Sequence, residues 1–190
     1  MKAEAAIVAL IMVFVLPAAA AEPFSFRDIR LGEGYSTLAQ RLDFRDIEDA
    51  LREAKQHGAA KPDLGRRGYG CMRRDDPYAD ITCVSHEEKI AGSATREIRL
   101  QFLDGILQQF SITAGIGHFD AVMQAVGAPY GAPLVEPASE GGGAIYSWRN
   151  GESKITGYAG KDLVFVSFEL ASYAAATVHK KNHGGARECR

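Results

Sequence analysis

The chain is poor in the residues and patterns from which most activities are read. Among 190 residues it has three cysteines, one tryptophan and five histidines. No C-x-x-C pair, G-x-S-x-G elbow, P-loop or H-E-x-x-H helix occurs, so thiol redox, acyl transfer, nucleotide binding and zinc proteolysis lack their usual signatures. Charge of one sign is missing as well. Twenty-two Lys and Arg against 24 Asp and Glu leave a net −2, which makes no field to attract nucleic acid or an anionic membrane. The longest apolar run, Ala5 to Leu16, has 12 residues, short of the roughly 20 that a membrane-spanning helix needs. General disorder is also excluded, because 46% apolar and 24% charged residues are the proportions of a folded globular domain.

What is present begins with an address. Met1-Lys2 is a short basic start, Ala5 to Leu16 the apolar stretch, and Pro17-Ala18-Ala19-Ala20-Ala21 the small-residue segment that a signal peptidase reads. This is the layout of a secretory signal peptide over residues 1–21. No cysteine stands at the cleavage point, so no lipid or other membrane anchor is expected, and the mature protein is read as periplasmic or secreted. Removing residues 1–21 leaves 169 residues, enough for one domain with a sizeable core. That domain is placed at residues 22–173, with residues 174–190 read as a disordered basic tail.

Disulfides persist in an exported protein. Cys71 and Cys83 flank a turn-rich stretch centred on Pro77. With strands at Tyr69–Arg73 and Asp80–Ser85, a register symmetric about residue 77 sets the two cysteines directly opposite. At a non-hydrogen-bonded site that means about 4.5 Å between Cα atoms, within disulfide reach. Closing so short a loop is worth about 3 kcal/mol. Cys189 is left without a partner.

The rest alternates between helix and strand patterns. Phe24 to Leu31 reads as a short strand or extended lead-in. Ser36 is a plausible N-cap for a helix over 37–42. Ile47, Ala50, Leu51 and Ala54 recur at helical spacing behind Asp46, and Gly58 ends that helix. Ile98, Leu100 and Phe102 alternate with Arg99 and Gln101 up to the Asp104-Gly105 turn. Phe110 and Ile112 return, with a bulge expected near Gln108-Gln109 because Leu107 is out of phase. Phe119, Val122, Met123 and Val126 mark another helix, closed by Pro129, Gly131 and Pro133. Residues 134–143 read as a flexible connection. Tyr146 and Trp148 lead to Asn150-Gly151, a two-residue hairpin signal that would pair Trp148 with Ser153. Val164, Val166, Phe168 and Leu170 form the last alternating strand. The order suggests two helix-plus-meander units, about 24–115 and 116–173, forming an α+β fold: an antiparallel sheet with helices packed on one face.

These residues carry a resemblance. Phe26-x-x-Ile29-x-Leu31-Gly32, then Ile98-x-Leu100-x-Phe102-x-Asp104-Gly105-x-Leu107, then Phe119-x-x-Val122-x-x-x-Val126-x-x-x-Tyr130-Gly131-x-Pro133, and Tyr146-x-Trp148-x-Asn150-Gly151 together resemble small exported bacterial domains of β-lactamase-inhibitor-protein-like fold. The SmpA/OmlA-type outer-membrane assembly lipoproteins belong to that group. The resemblance runs from about Phe24 to Leu170 and implies a protein that binds other proteins with the open face of its sheet, without catalysis. The absent lipidation cysteine departs from the anchored members, and Pro129 falls where the third helix should finish.

Candidate chemistry is sparse. Ser85-His86-Glu87 sets three catalytic residue types side by side, but neighbours on a strand point to opposite faces and make no relay. Asp28, Asp43, Asp46, Glu48 and Asp49 read as the solvated faces and caps of the early helices. His57 and His118 sit near helix ends. His179 and His183 have metal-ligand spacing only on a helix, which Lys180, Lys181, Gly184 and Gly185 disfavour. No metal, cofactor or catalytic residue is therefore expected. If Tyr146, Trp148, Ile155, Val164, Val166 and Phe168 pack on the helices, parity puts Arg99, Gln101, Thr113, Arg149, Lys154, Thr156, Tyr158, Phe165 and Glu169 on the other face. Arg99, Arg149, Lys154, Tyr158 and Phe165 are the candidate protein-binding residues, since aromatics and Arg dominate interface hot spots; the bland alternative is an ordinary solvated sheet face. The expected partner is an envelope or exported protein. An inhibitor of an extracytoplasmic hydrolase, using residues 134–143 as an inserted loop, is the second reading, and an enzyme of unknown reaction the third.

Overall fold

The computed structural model describes residues 21–58, 68–74, 76–86, 89–90, 92–138 and 143–184. The signal-like segment and Cys189 lie outside them. A small hairpin of β1 (Ser25–Phe26) and β2 (Ile29–Arg30) opens the fold. Helix α1 (Tyr35–Leu42) starts one residue before the expected cap. Its N-cap is Gly34, with no side-chain bond, rather than Ser36; the Tyr35 amide is instead tied to the Gly105 carbonyl at 2.7 Å. The short strand β3 (Phe44–Asp46) leads into α2 (Ile47–Gln56), capped as expected by Asp46, whose carboxylate accepts from the Glu48 and Asp49 amides. The apolar stripe of α2 departs from expectation: none of its residues is buried, and Leu51 is 50% exposed.

The sheet follows: β4 (Tyr69–Arg73), β5 (Ile81–Ser85), β6 (Lys89–Ile90), β7 (Ser93–Leu103) and β8 (Ile106–Gly115). After one 3-10 turn, α3 (Phe119–Gly127) leads to β9 (Leu134–Pro137), β10 (Ala144–Arg149), β11 (Ser153–Ala159) and β12 (Leu163–Leu170), and α4 (Tyr173–Gly184) ends the described chain. Strand order is β3-β4-β5-β7-β8-β12-β11-β10-β9, with β6 beside β7. Every neighbour pair is antiparallel except β3 with β4. The fold is α+β.

One face of the sheet makes the core. Register aligns Trp148, Ile155, Phe168, Phe110, Leu100, Cys83 and Cys71 across it, all buried. At the centre the Phe110 and Phe168 rings stack with centroids 4.2 Å apart. Leu38 of α1, the α3 residues Val122, Met123 and Val126, and Phe24, Phe26, Ile29 and Leu31 cover this layer. Trp148 is core, as its spacing suggested, and its indole N–H donates to the Gly131 carbonyl at 2.9 Å. Cys71 and Cys83 are paired in register and disulfide-bonded, with Cα atoms 4.0 Å apart.

Four local expectations are corrected. Residues 134–137 are an exposed edge strand on β10 rather than flexible connection, because main-chain pairing with β10 supplies the order that their composition does not advertise. The Asn150 turn is wider than a two-residue hairpin. Arg149 pairs with Lys154 and Trp148 with Ile155, because Asn150 Oδ1 accepts from the Glu152 and Ser153 amides at 3.0 and 2.7 Å and folds them into the loop. The shift is two residues, so no side chain changes face. The tail is helical up to Gly184 instead of disordered. Alanine and lysine are strong helix formers, and Lys180 and Tyr173 bind α4 to the body. Finally, the lead-in at Phe24 to Leu31 is a hairpin whose turn residue Arg27 has φ +53°. The expected bulge is present: Gln101 pairs with Gln109 but Phe102 with Leu107, leaving Gln108 extra.

Candidate protein-binding face

The face opposite the core is a grid of five strands and three rows. Its first row runs Ile145, Tyr158, Phe165, Thr113, Glu97. The second runs Ser147, Thr156, Ser167, Ser111, Arg99, and the third Arg149, Lys154, Glu169, Gln109, Gln101. Period-2 alternation produces this arrangement directly from the core set. All five candidate residues, Arg99, Arg149, Lys154, Tyr158 and Phe165, fall on this one face.

Each row has its own chemistry. In the first, Tyr158 and Phe165 are cross-strand partners with ring centroids 5.5 Å apart and planes at 42°. Such pairs are worth more than their area alone. Tyr158 is 42% exposed, so part of the pair faces solvent, with Ile145 beside it. The middle row is hydroxyl-rich and low: Ser147, Ser167 and Ser111 are buried between the taller rows. Ser147 Oγ has no hydrogen-bond partner among the described residues.

The third row is a polar network. Gln109 Nε2 donates to Ser167 Oγ at 2.9 Å and to Glu169 Oε1 at 3.0 Å, and the Ser167 hydroxyl donates to the same carboxylate oxygen at 3.0 Å. Lys154 closes it on the other Glu169 oxygen at 3.4 Å. Arg99 pairs along its own strand with Glu97 at 2.8 Å. Arg149 lies exposed beside Lys154, with no ion pair or side-chain hydrogen bond among the described residues. It is therefore the candidate cation most available to an incoming carboxylate, because binding would break no existing pair.

Sequence parity missed Gln109, Ser111, Ser147, Ser167, Ile145 and Glu97. The bulge expected near Gln108-Gln109 hides the phase of Gln109, whereas Ser111 shares the phase of Thr113 and was legible. For Ser147 and Ile145 the signal was present, since both flank the core residue Tyr146. The other candidates are not brought together into a site. Ser85 is buried, while His86 is exposed with Nδ1 2.8 Å from the Arg96 carbonyl oxygen, and Glu87 lies outside the described residues. His57 is the C-cap of α2, and His118 ends the 3-10 turn. His179 lies on α4. No group of three or more His, Cys, Asp or Glu is placed to hold a metal among the described residues. Among those residues, too, no helix is long and apolar enough to cross a membrane.

Fold and surface together define a disulfide-bonded α+β domain that presents one mixed aromatic, hydroxyl and charged sheet face. No protein-family model matches the chain, and no curated protein or solved structure matches it.

Proposed function

We propose that this is an exported, periplasmic or secreted, protein-binding module that engages an envelope or exported protein through the open face of its sheet. The observation that carries the reading is one face that holds the half-exposed Tyr158 paired with Phe165 in its first row and Arg149, unpaired among the described residues, in its third, with its remaining polar groups mostly satisfied internally. The pair stabilises the sheet on its own, but the half-exposed Tyr158 also offers apolar area to a partner, and interface hot spots favour Tyr and Arg. The disulfide and the basic–apolar–small N-terminus support export. We also read the sheet as two helix-plus-meander units meeting at β8 and β12, in line with the resemblance to β-lactamase-inhibitor-protein-like domains.

The test is substitution on the face. Tyr158→Ala and Arg149→Ala should each weaken capture of the envelope partner by about 10-fold or more, with thermal stability close to that of the parent. A Tyr158→Ala variant that captures the partner normally contradicts the reading. One observation favours a second reading, inhibition of an extracytoplasmic hydrolase. Leu134, 58% exposed on the edge strand, pairs with Ser147 and so extends the open face. In that case added protein slows such a hydrolase, and Leu134→Asp relieves the inhibition.

A further inference from the structure

One end of the open face is covered. Leu103 follows Gln101 on the open side of β7, two residues on and clear of the bulge, which lies in β8. Yet Leu103 is 3% exposed, and Ala79 in the adjoining turn is 0% exposed. Neither belongs to the main core cluster. The element that reaches this end is α4, which follows the end of β12 just past the open-face residue Glu169 and whose Lys180 bonds to Asp80, the residue whose amide donates to the Phe102 carbonyl beside Leu103.

Its attachment is narrow and polar. Tyr173, Thr177, Lys180 and Lys181 are spaced i, i+4, i+7 and i+8, one stripe of a helix. The Tyr173 hydroxyl donates to the Tyr78 carbonyl at 3.2 Å. Lys180 Nζ donates to the Asp76 carbonyl at 2.6 Å and to Asp80 Oδ1 at 2.5 Å. Lys181 lies 4.8 Å from the Tyr78 ring centre and donates to its hydroxyl at 3.1 Å. The receiving turn is itself rigid, because Asp76 Oδ1 accepts from the Tyr78 and Ala79 amides and Asp80 Oδ2 from the Asp104 amide. Among the α4 residues whose burial is described, Thr177 is the buried one, and Val178 stands 56% exposed. A helix held by a few polar bonds, its buried surface confined to the Tyr173–Thr177 stripe among the described residues, belongs to the low-stability end of a structure's local openings.

We propose that α4 is a lid over the Leu103 end of the open face, latched by Lys180 and opening as a unit while the sheet stays folded. Opening bares Leu103 and Ala79 and lengthens the binding grid past Gln101. The consequence for partner access rests on the reading of the open face as the working surface; the motion does not.

The motion is tested on the full exported chain by hydrogen–deuterium exchange and hydroxyl-radical footprinting, comparing parent, Lys180→Ala and Lys180→Arg. Amides of α4 should exchange at least about 100-fold faster than those of β8 and β12. Lys180→Ala should speed α4 about 10-fold further and raise labelling of Leu103, leaving sheet protection unchanged, and Lys180→Arg should restore the latch. A common exchange rate for α4 and sheet, or Leu103 labelling unmoved by Lys180→Ala, overturns the lid. Cross-linking from a photoreactive residue at Tyr158 separates the two claims. Adduct yield that rises several-fold in Lys180→Ala supports gating, and an adduct present at unchanged yield overturns it. Absence of any adduct overturns the face reading and the lid's role with it, even where exchange shows the helix opening.

Discussion

Asp80 and Tyr173 set the pH range over which α4 stays docked. Burial alone would raise the Asp80 carboxyl, but its hydrogen bond from Lys180, with the Asp104 amide and the Lys180 charge, holds it below the ordinary value of 3.8. A depressed carboxylate stabilises the folded state above its unfolded pKa, and that contribution is lost as pH falls through the folded one. Tyr173 behaves in the opposite sense. Burial, with Glu169, Asp76 and Tyr78 nearby, pushes its phenol from 10.0 up to about 12. Its contribution is complete below 10.0 and disappears as pH climbs towards about 12. Exchange protection of residues 173–184 should therefore be flat from about pH 5 to 9 and fall on both sides. In a tyrosinate absorbance titration Tyr173 should ionise well after an ordinary phenol, beside Tyr35, whose phenol burial also raises, and Tyr173→Phe should remove its share of the late absorbance. Protection that changes across neutral pH would assign the docking to other groups.

At the scale of elements, α3 lies on the sheet at two points where a glycine admits a large side chain. A Cβ at Gly127 would stand 2.7 Å from Trp148 Cζ2, and one at Gly157 2.7 Å from Met123 Cε. The two positions differ in what can yield. The Trp148 ring is fixed by its bond to the Gly131 carbonyl, whereas the end of Met123 can change rotamer. Gly127→Ala should cost about 1–3 kcal/mol, and Gly157→Ala less than about 1 kcal/mol. Urea denaturation of the two variants measures the difference, and equal costs would mean that the Trp148 contact is no tighter than the methionine one.

The elements also show what a reader of the sequence can and cannot see. The Cys71–Cys83 register is symmetric about Pro77 and the Gln108 bulge displaces a clean alternation, so both are legible in one dimension. The same parity placed Arg99, Arg149, Lys154, Tyr158 and Phe165 on a single face. β3, β9 and α4 are not legible, because each is ordered by a partner that its own composition does not advertise, distant in sequence for β3 and α4 and the next strand for β9. β3 is held by the backbone of β4, β9 by that of β10, and α4 by an acidic turn about a hundred residues earlier. Helical propensity was visible in Ala174 to Lys181, but without an apolar stripe it carried no signal. In α2 the stripe was clear and misleading, since Leu51 remains half exposed.

For the whole molecule, the disulfide joins the neighbouring strands β4 and β5 near one edge of a sheet whose later strands have no such link. It closes a span of 12 residues, worth about 3 kcal/mol in the chain-entropy model. Reduction should lower the melting temperature by roughly 6–12 °C while the β8–β12–β11 network persists in the folded state below that temperature. A melting temperature unchanged by reductant would mean that the pair is dispensable for stability.

The central claim, that the open sheet face is the working surface, is tested most directly in the living source cell with a photo-cross-linking residue at Tyr158 and a matched probe at Glu53 on α2. The account predicts a discrete adduct from Tyr158 and none from Glu53. An adduct from Glu53 with none from Tyr158 would contradict it and move the partner to the exposed stripe of α2.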